Sequence, residues 1–424
     1  MMAAIQVIGV GVSERAELDS TALSALQRVG LVFGSDRQLD MVRHLLNGQS
    51  VQLLPPLAEL PEQLVSALEQ HDAIAILASG DPLFYGIGSW LSRHFDRNQL
   101  AFHPAISSLQ AVCHALGLAL QDVNVVSLHG RPLEKIRTRL HRNATLLVLT
   151  DQYSTPQRLA QECLGANFAE SELIVCSSMG YRQQKIQHFP ATELVRLKRK
   201  FDPLHVTVIH VRGDGGVLPD FPGIPDHHFH TGAEAGKGMI TKRAVRLNIL
   251  SLLQPAHGDV IWDIGAGCGS VAVELAYWNP HARIMAVEQH SLRLACLEVN
   301  RQRFGVTRNL RVIDGRAPAA LADLEPANKI FIGGSDGELP TLLQTLWAEL
   351  PVNSMIVGSA VTETSKVWWF DFWQHRQQQQ DAAMETLQIA VSSGDALAGH
   401  LLYRPSLPVT LFRFIKTGVA EYVH

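Results

Sequence analysis

Three glycines at alternate positions follow an apolar segment in the second half of the chain. Residues 260–264 predict a buried strand, and Gly265, Gly267 and Gly269 come directly after it. Such glycines let the backbone pass close beneath a ligand, because a Cβ atom would occupy the ligand's volume. A helical pattern follows, and this succession of strand, glycine turn and helix predicts a cofactor site of the nucleotide type.

A second apolar segment, residues 283–287, ends immediately before Glu288. An acidic side chain at this point, roughly 20 residues beyond the glycine turn, can accept hydrogen bonds from both hydroxyls of a ribose. A dinucleotide fingerprint requires a further glycine where the chain has Ser270, whereas S-adenosylmethionine requires only the close backbone approach and the ribose acid. We therefore expect S-adenosylmethionine here, with an NAD-dependent enzyme as the alternative.

Apolar segments of strand length alternate with helix-length segments along the whole chain. The segments in the first half are 5–10, 73–78, 123–127, 146–150, 173–177 and 206–211. The segments in the second half are 260–264, 283–287, 310–313, 330–332, 355–357 and 409–414. This alternation predicts an α/β fold in both halves, with parallel sheets covered on both faces by helices. Residues 173–177 and 185–189 form a strand pair around a turn, which predicts mixed pairing in the first half.

The clearest domain boundary is a stretch rich in glycine, proline and histidine at residues 213–236. These residues break helical and strand periodicity, as expected of a linker. We predict an N-terminal domain at residues 1–212, a linker at 213–236 and a C-terminal domain at 237–424. A softer seam near residues 117–121 divides the first domain into two subdomains. The length of 424 residues agrees with two or three domains.

The composition argues against several classes of protein. A formal net charge of −4 lacks the basic excess of a nucleic-acid scaffold, and few aromatic residues are present to stack on bases, so we expect no nucleic-acid partner and disfavour an RNA methyltransferase. The five cysteines are scattered without a C-x-x-C pair, and the histidines at 227, 228 and 230 lack further ligands at metal-binding spacing, so we expect no metal. We find no signal peptide and no apolar run near about 18 residues, and therefore expect a cytoplasmic protein with no membrane partner.

Three short motifs in the first half lie where strands are predicted to end. Gly9 and Gly11 follow the first strand, and the sequence LASGDPLFYG occupies residues 77–86. Proline fixes the turn there, and glycine leaves backbone groups accessible at the carboxyl edge of the sheet, where open α/β sheets bind ligands. Ser107 and Ser108 precede a helix, where either serine can instead serve as its N-cap.

The second half contains five short motifs, which are ITKRAVR at 240–246, DIGAGCGSVAVELA at 263–276, AVEQ at 286–289, DGRAP at 314–318 and FIGGS at 331–335. Together these motifs resemble those of the decarboxylating precorrin methyltransferases of cobalamin synthesis. The resemblance implies a Rossmann-like class I methyltransferase that methylates carbon 15 of a macrocycle and removes the carboxylate of the ring C acetate. The implied cofactor contacts are Thr241, Gly265, Ala266, Gly267, Cys268, Gly269, Glu288 and Ala317. Arg316 stands where the family commonly has an acid, so that acid's role does not transfer.

The motifs of the first half, with VSLHGR at 126–131, resemble the tetrapyrrole (corrin and porphyrin) methylases of the carbon-5 branch. The resemblance implies a tetrapyrrole-methylase fold of two α/β subdomains with S-adenosylmethionine folded between them. The implied cofactor contacts are Val12, Ser79, Gly80, Asp81, Phe84, Ser107, Ser108 and Thr150. The usual G-x-G-P-G start departs here to GVGVS at residues 9–13, which leaves the local backbone shape open.

Two such halves on one chain resemble the fused bifunctional precorrin methyltransferases. The resemblance implies one S-adenosylmethionine per half, a tetrapyrrole substrate, two methylations with one decarboxylation, and a homo-oligomer. An alternative is a monofunctional methyltransferase in which one half serves as a scaffold.

The catalytic residues remain unknown from the sequence. Methyl transfer from a sulfonium is a displacement that depends on alignment, and no triad stands out. A substrate rich in carboxylates calls for arginine side chains. The candidates are Arg131, Arg243, Arg246, Arg316 and Arg404, with His129 as a proton carrier. Each arginine can alternatively be a solvated surface charge, and the histidine can simply be hydrogen-bonded within its turn.

Overall fold

The structure, a computed structural model, describes residues 3–234 and 238–418. The chain divides into two units, and we describe each by itself. One unit contains Met1–Leu133 and Arg142–Gly215, and the other contains Glu134–His141 and Gly216–His424. Both units are built from sheets and helices, which confirms the predicted α/β class.

The first sheet of the first unit is parallel throughout. Its strands are β1 (Ile5–Gly9), β2 (Leu31–Gly34), β3 (Ser50–Leu53), β4 (Ile74–Ala78) and β5 (Leu100–His103). They lie in the order β3-β2-β4-β1-β5. Along β4, Ala75 and Leu77 enter one hydrophobic core, and Ile74 and Ile76 enter another. Helices therefore cover both faces of this sheet, as the sequence predicts.

Side-chain caps start several helices of the first unit. These helices are α1 (Ser20–Arg28), α2 (Asp36–Val42), α3 (Leu60–Gln70), α4 (Gly88–His94), α5 (Ser108–Leu116), α6 (Pro156–Gly165) and α7 (Ala191–Leu194). Asp19 caps α1, and Ser35 forms a capping box with Gln38 at the start of α2. Gly117 ends α5 with a φ of +67°, within the predicted seam at residues 117–121.

The second sheet of the first unit is mixed. Its strands are β6 (Asn124–Ser127), β7 (Thr145–Leu149), β8 (Glu172–Ser177), β9 (Lys185–Pro190) and β10 (His205–His210). They lie in the order β6-β7-β10-β8-β9. Strands β6 and β7 are parallel, and the remaining neighbours are antiparallel. The mixed pairing predicted for β8 and β9 is confirmed.

The second unit contains one large sheet and a separate hairpin. The strands are β11 (Val260–Ile264), β12 (Arg283–Glu288), β13 (Leu310–Asp314), β14 (Lys329–Ile332), β15 (Met355–Ala360), β16 (Ala382–Ile389), β17 (Ser392–Leu397), β18 (His400–Pro405) and β19 (Val409–Lys416). The large sheet has the order β13-β12-β11-β14-β15-β19-β16, and β17 pairs with β18. Strands β11 to β15 are parallel, whereas β19 is antiparallel to both of its neighbours.

Longer helices flank this sheet. They are α8 (Arg243–Leu253), α9 (Ser270–Trp278), α10 (Ser291–Arg303), α11 (Leu339–Glu349) and α12 (Glu363–Gln379). Short 3₁₀ helices in the two units lie at Arg43–Leu45, Arg97–Gln99, Leu120–Asp122, Leu133–Arg139, Asp226–His228 and Ala319–Leu321. Trp369 of α12 stacks on Phe412 of β19 with the ring centroids 5.5 Å apart, which ties the antiparallel end of the sheet to its helix.

Part of the predicted linker is bound to the second unit. The backbone amides of Gly223 and Ile224 donate to the Glu274 carboxylate at 2.8 and 3.0 Å. The His230 amide donates to Oδ1 of Asn300 at 2.8 Å. These hydrogen bonds hold Gly223, Ile224 and His230 against helices of the second unit, although their composition predicts a linker without regular structure. Residues 235 and 236, the end of that linker, lie outside the described residues.

Candidate active sites

The glycine turn after β11 has a backbone shape that requires glycine. Gly265, Gly267 and Gly269 have φ values of +72°, +60° and +80°. A Cβ atom on Gly265 would lie 2.6 Å from the Gly334 carbonyl oxygen, and one on Gly269 would lie 2.0 Å from the Leu297 side chain. The nearest described atom to a Cβ on Gly267 would be 3.9 Å away. Neighbouring protein atoms therefore pack closely against Gly265 and Gly269 at the two ends of the turn, and space remains open beside Gly267.

Glu288 holds this turn through its carboxylate. It ends β12, the strand beside β11, and is 4% exposed. Oε2 accepts a hydrogen bond from the Gly267 amide at 2.8 Å, and Oε1 accepts bonds from the Gln289 and His290 amides at 2.9 Å each. A carboxylate oxygen has two acceptor positions. Oε2 can therefore accept a ligand hydroxyl without losing a backbone partner.

Asp263 is a buried acid directly beneath the turn. Its Oδ2 accepts the Ala272 amide at 3.0 Å, and its Oδ1 has no partner among the described residues. Burial raises the pKa of Asp263 to about 7, and the nearby Glu288 carboxylate adds to this rise. The hydrogen bond from the Ala272 amide lowers the pKa but does not cancel the effect of burial. The side chain thus holds a proton far more readily than an ordinary aspartate does.

A cavity of about 400 Å³ opens at the carboxyl edge of this sheet. Its volume lies within the roughly 300–1,000 Å³ typical of ligand sites. The lining includes the predicted residues Thr241, Gly265, Ala266, Gly267, Cys268, Glu288, Arg316 and Ala317. Gly269 is not part of the lining, because it packs against Leu297. The lining also contains Arg293, which the sequence reasoning missed, and Phe331 of the F-I-G-G-S motif, which was not among the predicted contacts.

Arg246 does not serve as a substrate contact, which corrects the prediction made for it. Its side chain is fully buried, and its Nε donates to Glu274 Oε1 at 2.6 Å. Nη1 donates to Asp226 Oδ1 at 3.1 Å and to the Thr241 carbonyl oxygen at 2.5 Å, and Nη2 donates to the Ile224 carbonyl oxygen. Arg246 therefore positions the segment that carries Thr241 into the cavity lining.

The other candidate arginines of the second unit differ in their surroundings. Arg316 lines the cavity and pairs with Glu338 at 3.0 Å, with both side chains about half exposed. An exposed pair of this kind contributes little stability, so a ligand carboxylate can replace Glu338. Arg243 is exposed at the first residue of α8. Arg404 pairs with Asp395 across the β17–β18 hairpin at 3.1 Å and is not among the residues that line the cavity.

Three loops meet at the carboxyl edge of the first sheet in the N-terminal unit. They follow β1, β4 and β5, which are neighbours in that sheet. A Cβ atom on Gly9 would lie 2.1 Å from the Gly80 carbonyl oxygen, and one on Gly80 would lie 2.6 Å from Cα of Ser107. The structure therefore brings the three predicted motifs of this half into direct contact.

The remaining predicted residues of these loops have distinct local roles. Ser107 caps α5 in a reciprocal capping box with Gln110, so the capping interpretation holds for this serine, and Ser108 begins the helix. Asp81 shapes its turn by accepting the Leu83 amide at 2.8 Å. Phe84 is 37% exposed and offers apolar surface beside the turn.

Val12 lies against a loop from the second sheet of the same unit. A Cβ atom on Gly180, which follows β8, would lie 1.6 Å from the Val12 carbonyl oxygen. Gly180 has a φ of +79°, so the position is restricted to glycine by backbone shape as well as by space. The loop after β1 is thus fixed between two sheets.

An aspartate organises the H-G-R turn at residues 129–131. Asp151 Oδ2 accepts the Gly130 amide at 2.9 Å, and Oδ1 accepts the amides of Tyr153 and Ser154. Burial alone would raise the pKa of Asp151, but the hydrogen bonds from Gly130, Ser154 and Tyr153 outweigh it and lower the pKa to about 2. His129 and Arg131 are exposed in this turn. Arg131 uses one of its donors within the unit, because its Nη1 donates to the Ser127 carbonyl oxygen at 3.1 Å.

Thr150 precedes that aspartate at the end of β7. Its Oγ1 lies 3.0 Å from Nε2 of His205 on β10. Burial lowers the pKa of His205, and its contacts with Asp202 oppose that shift. Thr150 is partly exposed, and the hydrogen bond fixes its side chain at the edge of the second sheet.

Arg37 is a residue that the sequence reasoning missed. It lies in the first turn of α2, and its Nη2 donates to Ser79 Oγ at 2.7 Å. Its Nη1 donates to the hydroxyl of Tyr181 at 3.1 Å. The sequence did contain a signal that could have located Arg37. The short apolar segment at 31–34 is followed by polar residues, a pattern that predicts another strand ending at the same edge of the sheet.

Comparison with known proteins assigns the two halves to two families of domains. The family model of the tetrapyrrole (corrin/porphyrin) methylases matches residues 4–195, and that of the precorrin methyltransferase domain matches residues 233–416. A precorrin-6Y C(5,15)-methyltransferase (decarboxylating) from Sinorhizobium sp is 32% identical over 414 residues, which cover 97% of this chain and 96% of the relative. The chain belongs to this family. The resemblance of the first half to the tetrapyrrole methylases and of the second half to the precorrin methyltransferases is thereby confirmed.

Two shorter relatives each match less than half of the chain. A probable cobalt-precorrin-6B C(15)-methyltransferase (decarboxylating) from Pyrobaculum aerophilum is 30% identical over 44% of this chain and 93% of its own length. A cobalt-precorrin-7 C(5)-methyltransferase from Salmonella typhimurium is 27% identical over 44% of this chain and 91% of its own length. Membership of the precorrin-6Y methyltransferase family makes the chain an S-adenosylmethionine-dependent C-methyltransferase.

The residues of the second unit fit that cofactor. The open space beside Gly267, the free acceptor position on Glu288 and the cavity together suit an adenosyl group whose ribose must be held by hydrogen bonds. The described residues contain no group of three or more His, Cys, Asp or Glu side chains that could hold a metal ion. All five cysteines are free and buried. Among the described helices, none combines the length and apolar character needed to cross a membrane.

Proposed function

We propose that the two units carry out the two methylations of precorrin-6Y separately. The N-terminal unit transfers a methyl group to carbon 5, and the C-terminal unit methylates carbon 15 and removes the carboxylate of the ring C acetate. The main observation that supports this proposal is that each unit has its own cluster of glycine-containing loops at the carboxyl edge of its own parallel sheet. The two family matches, which fall on different halves, support the same division.

The shorter relatives also support a division of labour. Proteins whose names specify only a C(5) or only a C(15) methylation match stretches of 44% of this chain. Either activity therefore fits within a protein of about half this length. In this proposal the fused chain joins two complete methyltransferases and has no half that serves only as a scaffold.

Each unit binds its own S-adenosylmethionine in this proposal. In the C-terminal unit the contacts are Thr241, Gly265, Ala266, Gly267, Cys268, Glu288 and Ala317, with Gly269 closing the turn from behind. In the N-terminal unit the contacts are Val12, Ser79, Gly80, Asp81, Phe84, Ser107, Ser108 and Thr150. The support is geometric, because the first set lines one cavity and most of the second set lies on three loops that touch.

The chemistry required of the protein is mainly alignment. S-adenosylmethionine supplies an electrophilic methyl group on a sulfonium. The chain's residues hold the meso carbon of the macrocycle in line with that methyl group and exclude water, which can supply up to about 7–11 kcal/mol. When carbon dioxide leaves the ring C acetate, the conjugated macrocycle takes up the electron pair of the broken carbon–carbon bond. A proton from water then converts the remaining methylene group to a methyl group, so no protein base of unusual strength is needed.

Exposed cations near each site bind the substrate's carboxylates. Arg316 and Arg243 serve the C-terminal site, because Arg316 lines the cavity and Arg243 begins the helix that follows Thr241. Arg131 serves the N-terminal site, and His129 beside it carries a proton. Asp151 holds their turn in place by its hydrogen bond to Gly130.

We also propose that the protein is a cytoplasmic homo-oligomer. Every residue of the β17–β18 hairpin is exposed, including Leu397, Leu401 and Tyr403 at 53%, 67% and 69%. Apolar side chains displayed this way mark an association surface. Buried free cysteines agree with a reducing compartment. Sedimentation of the full chain tests the oligomer, and a monomer at micromolar concentration would contradict it.

Two variants test the division of activity. Gly267→Trp fills the open space at the C-terminal turn, and Asp81→Ala removes the side chain that shapes the N-terminal turn. Each protein is incubated with reduced precorrin-6Y and S-adenosylmethionine, and the product mass is measured. Each variant should stall after one methyl group, and only Gly267→Trp should abolish carbon dioxide release.

Matched controls separate these effects from general damage. Gly258→Trp carries a similar backbone cost, since Gly258 has a φ of +88° with nothing nearby, but it lies at the opposite end of β11. Asp96→Ala removes a comparable turn cap at the amino end of β5. Both controls should add two methyl groups. If either site variant still adds both methyl groups, or if one variant loses both, the division of activity is wrong.

A further inference from the structure

Arg37 carries a positive charge that the protein does not neutralise. Its bonds go to the hydroxyls of Ser79 and Tyr181 and to the sulfur of Met41 at 3.5 Å, and it forms no ion pair with a carboxylate of the described residues. Arg43, near the end of the same helix, is by contrast paired with Asp40 at 2.5 Å. A guanidinium has five N–H donors, and the Nε of Arg37 reaches no described acceptor.

Ser79 presents a second unused donor at the same place. Its Oγ accepts hydrogen bonds from Arg37 Nη2 at 2.7 Å and from Gln38 Nε2 at 3.1 Å. With both acceptor positions filled, the hydroxyl proton of this exposed serine points to no described acceptor. An uncompensated guanidinium beside a free hydroxyl donor is a recognition element for an anionic oxygen.

Arg37 lies on a different strand end from the three loops proposed for the cofactor. The loops proposed for the cofactor follow β1, β4 and β5, whereas Arg37 follows β2, on the far side of β4 in the sheet order. Tyr181 reaches the same point from the loop after β8 in the second sheet. The guanidinium therefore lies beside the proposed cofactor loops, on the β2 side of β4.

Apolar surface accompanies the charge. Leu83, Phe84 and Tyr85 continue the loop that begins at Ser79, and they are 49%, 37% and 49% exposed. A flat macrocycle with carboxylates on its edge needs this combination of an apolar bed and a cation. Resting on the proposed carbon-5 activity, we infer that Arg37, positioned by its hydrogen bonds to Tyr181 and Ser79, binds a peripheral carboxylate of the tetrapyrrole substrate.

The test compares Arg37→Gln, Arg37→Lys and Tyr181→Phe in full-length protein carrying Gly267→Trp, so that only the N-terminal methylation is counted. Arg28→Gln is the matched control, because Arg28 also donates to a serine hydroxyl, that of Ser24, but on the exposed side of α1. For Arg37→Gln the KM for the tetrapyrrole should rise about 10- to 100-fold, as expected for a lost hydrogen bond to a charged group. The kcat and the melting temperature should not change.

Arg37→Lys should give an intermediate KM, because lysine keeps the positive charge but lacks the paired N–H donors with which a guanidinium binds a carboxylate. Tyr181→Phe should raise KM by a smaller factor. The affinity for S-adenosylhomocysteine separates substrate from cofactor, since it should be the same in all of these proteins. An unchanged KM in Arg37→Gln overturns the inference, and so does an equal loss of S-adenosylhomocysteine affinity, which would assign Arg37 to the cofactor's carboxylate.

A binding titration distinguishes this inference from the proposed function. Uroporphyrin, a tetrapyrrole with carboxylates on its edge, is titrated by fluorescence into the Gly267→Trp protein and its Arg37→Gln derivative. Weaker binding to the derivative supports the carboxylate site even if the parent transfers no methyl group, in which case the carbon-5 assignment fails by itself. Equal binding to both proteins overturns the Arg37 site.

Discussion

The backbone amide of Gly267 donates a hydrogen bond to Oε2 of Glu288 over 2.8 Å, which joins the glycine turn to the acid at the end of the neighbouring strand. The two elements that predict a cofactor site in the sequence are therefore one physical unit. The turn cannot move away from β12 without leaving a buried carboxylate oxygen unsatisfied.

Glu288→Gln tests this unit. The substitution replaces one acceptor oxygen with an amide donor that faces backbone donors, so the affinity of the second unit for S-adenosylhomocysteine should fall about 10- to 100-fold. Calorimetric titration measures the change. Glu298→Gln is the control, because Glu298 pairs with Arg301 on α10 and is not among the residues that line the cavity. Equal affinities for the two variants would refute the role of Glu288.

Asp263 should make stability depend on pH. Its pKa of about 7 in the folded protein lies above the ordinary value of 3.8, so the folded state binds more protons between these values. The free energy of unfolding of the second unit should therefore fall as pH rises through this window, by at most about 1.4 kcal/mol per pH unit, and level off above it. Asp263→Asn should remove this slope in denaturation followed from about pH 5 to about pH 8. Identical slopes in both proteins would contradict the assignment.

Arg246 should stabilise the second unit chiefly as the buried partner of Glu274. Arg246→Met leaves a fully buried carboxylate without its cation and should cost about 3–5 kcal/mol of unfolding free energy. The double variant Arg246→Met/Glu274→Leu removes the buried charge pair and should recover part of that loss. The recovery should be incomplete, because the amides of Gly223 and Ile224 lose their acceptor. Calorimetric melting of the full chain measures both changes. A double variant no more stable than the single one would show that the ion pair is not the cause.

Asp151 should keep the H-G-R turn ordered. Because its pKa is lowered to about 2, the carboxylate's contribution is complete above its ordinary pKa of 3.8 and is lost only as pH falls through about 2. Asp151→Asn should therefore speed hydrogen exchange of the Gly130 amide at neutral pH and lower the N-terminal methylation rate. Asp202→Asn is the control, since Asp202 shapes a similar turn by accepting the Leu204 amide. Unchanged exchange at Gly130 would contradict the prediction.

The central strands were predictable because burial on both faces leaves a continuous apolar signal. The structure places strands at each of the twelve predicted apolar segments, with ends shifted by at most a few residues. The strands missed are short or lie at edges. All four residues of β3 are exposed, and β16 alternates between exposed and half-buried residues. Edge strands have one unpaired side and carry no comparable pattern.

Local motifs located the loops of both sites, but they did not reveal which charges are available. Arg246 and Arg316 are equivalent in sequence terms. The structure buries Arg246 against Glu274, 28 residues away, and leaves Arg316 at the cavity. The side chain of Arg37 is positioned by a hydrogen bond to Tyr181, which lies 144 residues away in the sequence. Such pairings depend on tertiary contacts that neither spacing nor periodicity encodes.

The number of S-adenosylhomocysteine molecules bound per chain tests the two-site account most directly. Isothermal titration of the full-length protein should give two per chain, and titration of the Gly267→Trp variant should give one, with the remaining affinity unchanged. A stoichiometry of one in the unmodified protein, abolished by Gly267→Trp, would contradict the account, because the N-terminal unit would then have no cofactor of its own.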